Sequence, residues 1–226
     1  MNKELRTLED YLKAIYRLEE VLGHAKTSDI AKELGVTAAT VSKTLRKLES
    51  NGYVIWLPYE GVRLSDRGRK IAVDIVKKHR IAESFLYHYL GFDLVKAHEY
   101  AHMLEHMPSE FFERLWLFMK KPSVCPHGNL IPGLPKYNEN EIKEIENDKP
   151  LANFDKDAKV KITRILCSFQ YDLMKTLINA NISRGTIVTI EKKDSLGIVV
   201  KSPNNISVKL PYYQANLIRG LEITST

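Results

Sequence analysis

The feature that most constrains the fold is a pair of short helical segments followed at once by a strand, a turn and a second strand. In TSDIAKELGVTAATVSKTLRKLESNGYVIW, Gly35 can end one helix and Thr37 can cap the next. Residues 53–56 and 62–64 then flank LPYEG, whose proline and glycine suit a hairpin turn. This succession predicts a winged helix-turn-helix, and an amphipathic helix over residues 7–21 precedes it.

The second of these helices has two unlike faces. Its apolar residues share one stripe, which can pack, and its cations Lys43 and Arg46 fall on the opposite side. Cations and hydroxyl groups on an exposed helix can meet phosphates and base edges. We predict DNA contacts from Thr37, Ala39, Thr40, Ser42, Lys43 and Arg46 on the helix, and from Tyr59 and Arg63 on the wing.

The charge of the chain is consistent with a polyanionic partner. The net charge is +6, and residues 1–80 hold 16 Lys and Arg against 11 Asp and Glu. A solvated basic face is the alternative interpretation of this excess. The start is charged and amphipathic, no run approaches the roughly 18 apolar residues of a membrane span, and only Cys125 and Cys167 occur. We therefore expect a cytoplasmic protein with no membrane partner and no disulfide framework.

Histidines are concentrated in one part of the chain. A helix predicted from about Ser65 to Leu90 carries His79 and Glu83 on one side, four residues apart. In the next helix, predicted over residues 94–107, three donors recur at steps of four and three, with one more beyond: His98, His102, Glu105 and His106. Imidazoles and carboxylates suit Mn2+, Fe2+, Co2+ and Zn2+. His88 is out of phase, and no thiolate is evidently near.

One competing interpretation concerns the segment HEYAH, which begins at His98. It matches the H-E-x-x-H pattern of zinc metalloproteases, in which the glutamate, here Glu99, is the general base. The extended pattern needs a glycine and a third histidine, but Glu105 and Pro108 stand in those places. The surrounding donors would also crowd the open position that a catalytic zinc needs. We therefore expect no enzyme and no small-molecule substrate.

The last third of the chain changes character. Residues 138–157 hold seven Asp and Glu against three Lys, which is typical of a linker with at most one short helix. From Ala158 onward, strand-like runs alternate with turn residues, and one helix-like piece interrupts them. This pattern predicts a small antiparallel barrel. The fold class is thus mainly α with a small β part.

At this point the sequence resembles the diphtheria toxin repressor family of iron- and manganese-dependent regulators. The resemblance covers the winged helix, KKHRIAE, AHEYAHMLEH, CPHGNLIPG and the C-terminal barrel. It implies a homodimer that binds palindromic double-stranded operator DNA when Mn2+ or Fe2+ is bound, and that represses metal-uptake genes. The implied domains are a winged-helix DNA-binding domain (1–74), a helical metal-binding and dimerisation domain (75–137), a linker (138–157) and an SH3-like domain (158–226).

The resemblance also implies two metal sites per subunit, which Co2+ or Zn2+ can also fill. The ancillary site would use His79, Glu83 and His98, and the activating site would use Asp10, His102, Glu105 and His106. Arg80 and Asn129 match residues that bind an anion in some members. The barrel positions that can complete the ancillary site in the family are here Gln170 and Leu173, with Asp172 beside them.

The donor types leave the metal open. Iron-type members have methionine where Asp10 stands and cysteine where His102 stands, whereas manganese-type members have aspartate and glutamate there. This chain has the aspartate without the glutamate. A winged-helix regulator gated by an organic ligand, with structural histidines, also stays open. Operator binding that is insensitive to chelators would favour that alternative.

Overall fold

The computed structural model describes residues 3–166 and 170–223, so Cys167 lies outside the described residues. The chain forms two compact units, one ending at Lys78 and one beginning at His79. The first unit contains α1 (Lys3–Leu22), α2 (Thr27–Leu34), α3 (Ala38–Ser50), β1 (Val54–Leu57), β2 (Gly61–Leu64) and the start of α4 (Asp66–His88). None of the described helices is both long and apolar enough to cross a bilayer.

The helix-turn-helix forms where the sequence predicts it. Gly35 ends α2 with a φ of 64°, and the side chain of Thr37 accepts a hydrogen bond from the N–H of Thr40 at 3.2 Å. The apolar stripe of α3 is buried against α2 and β1, in a core that also contains residues of α1: Val41, Leu45 and Leu48. This burial fixes the opposite face of α3 towards solvent.

The wing is a two-stranded antiparallel sheet tied to the helix-turn-helix. Trp56 pairs with Val62, and the N–H of Val62 donates to the carbonyl of Ala25 at 2.9 Å, just before α2. A Cβ atom on Gly61 would lie 2.3 Å from that same carbonyl oxygen. Only glycine therefore allows this close approach of the wing to the helix-turn-helix.

In the second unit, three helical segments surround an apolar core that includes Ile81, Phe112 and Ile131. They are the end of α4, α5 (Leu94–Leu104) and α6 (Ser109–Phe118). Asp93 caps α5 by accepting from two main-chain N–H groups. The predicted extension of α5 to Met107 is wrong, because α5 ends three residues earlier, as the chain approaches Pro108.

The rest of the second unit is built on one six-stranded antiparallel sheet, which confirms the expected small β domain. Its strands follow the order β3-β8-β4-β5-β6-β7. The bounds are β3 (Lys149–Pro150), β4 (Lys159–Ile165), β5 (Ile187–Asp194), β6 (Gly197–Lys201), β7 (Ser207–Pro211) and β8 (Ile218–Glu222). Three helices accompany the sheet: α7 (Glu139–Asn147), α8 (Tyr171–Asn179) and α9 (Tyr212–Ala215).

The acidic segment 138–157 is more structured than a linker. It forms α7, then β3, which pairs with β8, and then a 3-10 turn over Leu151–Asn153. Asp148 is buried there and accepts hydrogen bonds from Arg164 and Arg219 of the sheet. The second half of the segment is therefore part of the β domain. Its polar composition does not indicate this.

Candidate metal centre and DNA-binding face

Most of the residues predicted to contact DNA are exposed in the first unit. Ser42 is half-buried, and the remaining seven are exposed: Thr37, Ala39, Thr40, Lys43, Arg46, Tyr59 and Arg63. The hydroxyl groups of Thr37 and Thr40 lie 2.9 Å apart at the start of α3. α3 thus presents hydroxyl groups at its first turn and two cations beyond it, as a major-groove helix requires.

Tyr59 occupies an unusual position at the tip of the wing. Its side chain is fully exposed, and its backbone adopts a left-handed φ of 66°. That conformation costs a non-glycine residue about 1–2 kcal/mol. A large side chain kept at this cost on an exposed tip is typical of a functional position.

The core of the metal centre is His79, which α4 places among donors from α4 and α5. Its Nε2 atom lies 3.1 Å from Oε1 of Glu83 and 2.9 Å from Nδ1 of His98. Oε1 of Glu83 also lies 2.7 Å from Nδ1 of His98. All three side chains are at least 95 % buried. Three buried donors that point at one another form a pocket suited to a cation.

A second group shares His79 and lies at the end of α5. The Nδ1 atom of His79 is 2.5 Å from Oε2 of Glu105, whose side chain is completely buried. The other carboxylate oxygen of Glu105 is 3.4 Å from Nδ1 of His102 and 3.9 Å from Nε2 of His106. His102 is the most exposed of these side chains, at 39 %. The structure thus brings six of the seven predicted metal ligands together in the second unit.

Two further donors were missed from the sequence. Glu83, Cys125 and His127 place ligand atoms within 4.8 Å of one another, and all three residues are buried. The expectation that no thiolate lies near is therefore wrong. The missed signal is the segment CPHG, in which Cys125 and His127 lie two residues apart in a tight loop closed by the N–H of Gly128. Histidine spacing on helices does not reveal a donor that a loop brings in.

The electrostatics of this buried group are strongly coupled. Burial alone would raise the pKa of Glu83, but the charges of His127 and His79 hold it well below its ordinary value. Burial alone would lower the pKa of His127, but the Glu83 carboxylate and the neighbouring Cys125 raise it to about 10. The buried Nε2 atom of His127 has no hydrogen-bond partner among the described residues. A buried ring nitrogen of this kind can ligate a metal ion once it has lost its proton.

The predicted anion-binding residues lie beside the same loop. Arg80 follows His79 on α4, and its guanidinium donates to the main-chain carbonyl of Leu130. The side-chain amide of Asn129 lies 3.4 Å from the carbonyl of Ile165. Arg80 thus contacts the loop that carries Asn129, whereas the side chain of Asn129 contacts β4, and their anion-binding role stays a prediction.

The barrel positions that the family resemblance points to lie at the start of α8. Leu173 is buried, whereas Gln170 is half-buried and Asp172 is exposed at the start of α8, a helix that packs against α5. Asp10 lies on α1 in the first unit. His88 is exposed at the end of α4, and partial desolvation together with the charge of Arg184 lowers its pKa.

The structure does not support the protease alternative. His98 is buried among Glu83 and His79, whereas the side chain of Glu99 is exposed on the other face of α5. A general base must reach the water on the metal. Glu99 does not face the buried donors, so the HEYAH match is a coincidence of spacing.

A winged helix-turn-helix and a buried imidazole–carboxylate cluster in one chain define a metal-responsive DNA-binding protein. Residues 5–62 match the family model for the N-terminal DNA binding domain of iron dependent repressors. Residues 65–133 match the model for the metal binding and dimerisation domain of the same proteins. The chain therefore belongs to the iron-dependent repressor family of metal-dependent transcriptional regulators.

Individual relatives agree with this assignment over almost the whole chain. The diphtheria toxin repressor of Corynebacterium diphtheriae is 33 % identical over 222 residues, which cover 96 % of this chain and 97 % of that protein. The crystal structure of T. acidophilum IdeR has a TM-score of 0.77 and 27 % identity, covering 95 % of this chain and 97 % of that one. The manganese regulator SloR has a TM-score of 0.77 and 26 % identity, covering 96 % and 98 %.

Proposed function

We propose that this protein is a homodimeric repressor that binds a palindromic operator when Mn2+ or Fe2+ is bound, and that it controls metal-uptake genes. The observation that carries the proposal is the buried set of imidazoles and carboxylates around His79. Buried ionisable groups are costly unless they are paired or ligate a metal. A chain that keeps so many of them together therefore has a use for an ion there.

The donor groups suggest two metal sites per subunit. The ancillary ion would be held by His79, Glu83 and His98, with His127 and Cys125 as further donors on the other side of Glu83. The activating ion would be held by His102, Glu105 and His106, together with Asp10 from the DNA-binding unit. The support is the grouping of ligand atoms within 4.8 Å inside the second unit and the family resemblance for Asp10.

The bound divalent ion would supply a cross-link between donors carried by separate helices. By accepting the Asp10 carboxylate, the activating site would favour one arrangement of α1, and hence of the recognition helix α3. Two such helices in a dimer must be about 34 Å apart to enter successive major grooves. The ion can shift this equilibrium only by its differential affinity for the two arrangements.

The DNA-binding face would act in two ways. Lys43 and Arg46 on α3 would contact base edges or phosphates in the major groove, while Tyr59 and Arg63 on the wing would contact phosphates.

Arg80 and Asn129 would hold an anion beside the ancillary ion. The donor set of the activating site contains no sulfur, which favours Mn2+ over softer ions, whereas Cys125 gives the ancillary region a soft donor.

The test is operator binding after chelation, with Mn2+, Fe2+, Co2+ or Zn2+ restored singly under anaerobic conditions. We expect tight binding only with metal, and a higher metal requirement for Asp10→Ala. Glu20→Ala, which removes an exposed carboxylate from the same helix, is the control and should keep the wild-type requirement. Binding that persists in chelator would reject the proposal and favour an organic effector.

A further inference from the structure

The two ring nitrogens of His79 face two different groups of donors. Nδ1 lies 2.5 Å from Oε2 of Glu105, whereas Nε2 lies 2.9 Å from Nδ1 of His98 and 3.1 Å from Oε1 of Glu83. His79 is 5 % exposed and Glu105 is fully buried, so solvent does not compete for these contacts. A single imidazole thus separates the two proposed metal sites.

The two ring nitrogens of an imidazole do not act independently, because a metal on one nitrogen determines that the proton is on the other. A histidine that ligates a metal through one nitrogen carries its proton on the other, and it almost always donates that proton to a carboxylate or carbonyl. Here the acceptor would be Glu105, which is itself a ligand of the activating ion. The residue that accepts the hydrogen bond from an ancillary ligand is therefore itself a ligand of the activating ion.

We infer that His79 couples the two metal sites, so that an ion in the ancillary site strengthens binding in the activating site. An ion on Nε2 fixes the proton on Nδ1, and the Nδ1–H group then holds Oε2 of Glu105. The other oxygen of Glu105 stays directed at His102 and His106, 3.4 and 3.9 Å away. This inference rests on the two sites of the proposed function and assigns His79 a positioning role beyond ligation.

The burial of the contact explains why it should be strong. A hydrogen bond to an ionised carboxylate is shorter and about twice as strong as a neutral one, and low polarity strengthens it further. The coupling must also be reciprocal, because an ion in the activating site has to strengthen the ancillary site by the same factor. A merely structural role of His79 would instead give a factor of one.

The experiment measures Mn2+ binding to the full chain by the paramagnetic resonance signal of free Mn2+. His98→Ala removes an ancillary ligand and His106→Ala removes an activating ligand, and both keep His79 and Glu105. The coupling factor is the two-ion binding constant of the wild type divided by the product of the two single-site constants. We expect a factor of about 10 to 100, the usual effect of an outer partner on a metal ligand. Glu83→Gln replaces His98→Ala if that variant does not fold.

Two substitutions of His79 distinguish the ligand role of Nε2 from the hydrogen-bonding role of Nδ1. The amide of His79→Gln reaches the Nε2 position and offers an oxygen ligand there, but it provides no donor to Glu105. Repeating the three titrations in this background should give a coupling factor near one. The shorter amide of His79→Asn keeps a donor near Oε2 of Glu105 and removes the ancillary ligand, so it should retain strong binding at the activating site.

The outcomes separate this inference from the proposed function. Wild-type protein that binds two ions with a coupling factor near one overturns the inference and leaves the proposed function intact. An equal factor in the wild type and in His79→Gln also overturns it. Wild-type protein that binds neither Mn2+ nor Fe2+ overturns both.

Discussion

The main-chain N–H of Ile165, at the end of β4, donates a hydrogen bond to the main-chain carbonyl of His127 at 2.8 Å. The side-chain amide of Asn129 lies 3.4 Å from the carbonyl of Ile165 in return. The loop that carries Cys125 and His127 to Glu83 is therefore fixed on the β domain. The β domain thus supports the metal centre, even though its described residues supply none of the buried donors.

This contact makes Gly128 sensitive to substitution. Its φ is +87°, and a Cβ atom there would lie 2.0 Å from the main-chain oxygen of Thr163. In Gly128→Ala the loop must move away from β4, so we expect a loss of about 1–3 kcal/mol in the free energy of unfolding. Urea denaturation measures this loss.

Gly185→Ala is the matched control, because Gly185 has the same φ of +87° but nothing within 4 Å of its Cβ position. Both variants carry the cost of a left-handed alanine, and only Gly128→Ala carries the clash. Equal losses for the two variants would show that the loop does not depend on its seat on the sheet.

Asp148 fixes the acidic segment 138–157 on the sheet of the β domain. Its fully buried carboxylate lies 2.6 Å from Nε of Arg164 and 2.5 Å from Nε of Arg219. Asp148→Asn would leave two arginines without their counter-charge, at a cost of about 3 kcal/mol. Glu191→Gln, which weakens a partly exposed pair with Lys201 in the same sheet, should change unfolding much less.

The same carboxylate makes stability depend on pH. Burial alone would raise the pKa of Asp148, but Arg164 and Arg219 hold it below its ordinary value of 3.8. The ionised form is therefore favoured by folding, and its contribution is complete above pH 3.8 and is lost as the pH falls through the lower folded value. The stability gap between the wild type and Asp148→Asn should narrow below about pH 4. A gap that stays constant down to pH 2 would contradict this assignment.

The sequence predicts those parts of the molecule that depend on local periodicity. The two faces of α3 and the caps at Gly35 and Thr37 follow from residue spacing and turn chemistry, and the structure confirms them. The helical phase of His79 with Glu83 likewise indicates a shared side, and the two side chains do meet.

Contacts between distant segments could not be predicted in this way. Cys125 and His127 approach Glu83 through an irregular loop, and no periodic rule places a loop residue opposite a helix. Asp148 lies in a segment whose composition is typical of a linker. Its burial depends on two arginines that are 16 and 71 residues further along the chain, and local composition does not reveal them. The sequence pattern extends α5 too far because helical spacing continues through Glu105, whose N–H still bonds to the carbonyl of Ala101.

Lys43 tests the DNA-binding face. It is exposed on α3, and so is Lys70 on α4, which gives a control with the same loss of charge. We expect Lys43→Ala to weaken operator binding by about 1–3 kcal/mol if it reads a base, or to lower the salt slope by about one if it contacts a phosphate. Fluorescence anisotropy at several salt concentrations, with operator and scrambled duplexes, distinguishes the two. Equal affinities for Lys43→Ala and Lys70→Ala would remove Lys43 from the interface.

Tyr59 offers a test in which stability and DNA binding should respond differently. Its left-handed φ of 66° costs about 1–2 kcal/mol, and glycine relieves this at an entropic cost of about 0.5–1 kcal/mol. Tyr59→Gly should therefore unfold at the same or slightly higher urea concentration, yet bind operator DNA about 1 kcal/mol more weakly through loss of the phenol. Asn205→Gly relieves a similar φ of 60° in the turn before β7 and should leave DNA binding unchanged. If Tyr59→Gly bound the operator as tightly as the wild type, the strained conformation of the wing tip would need another explanation.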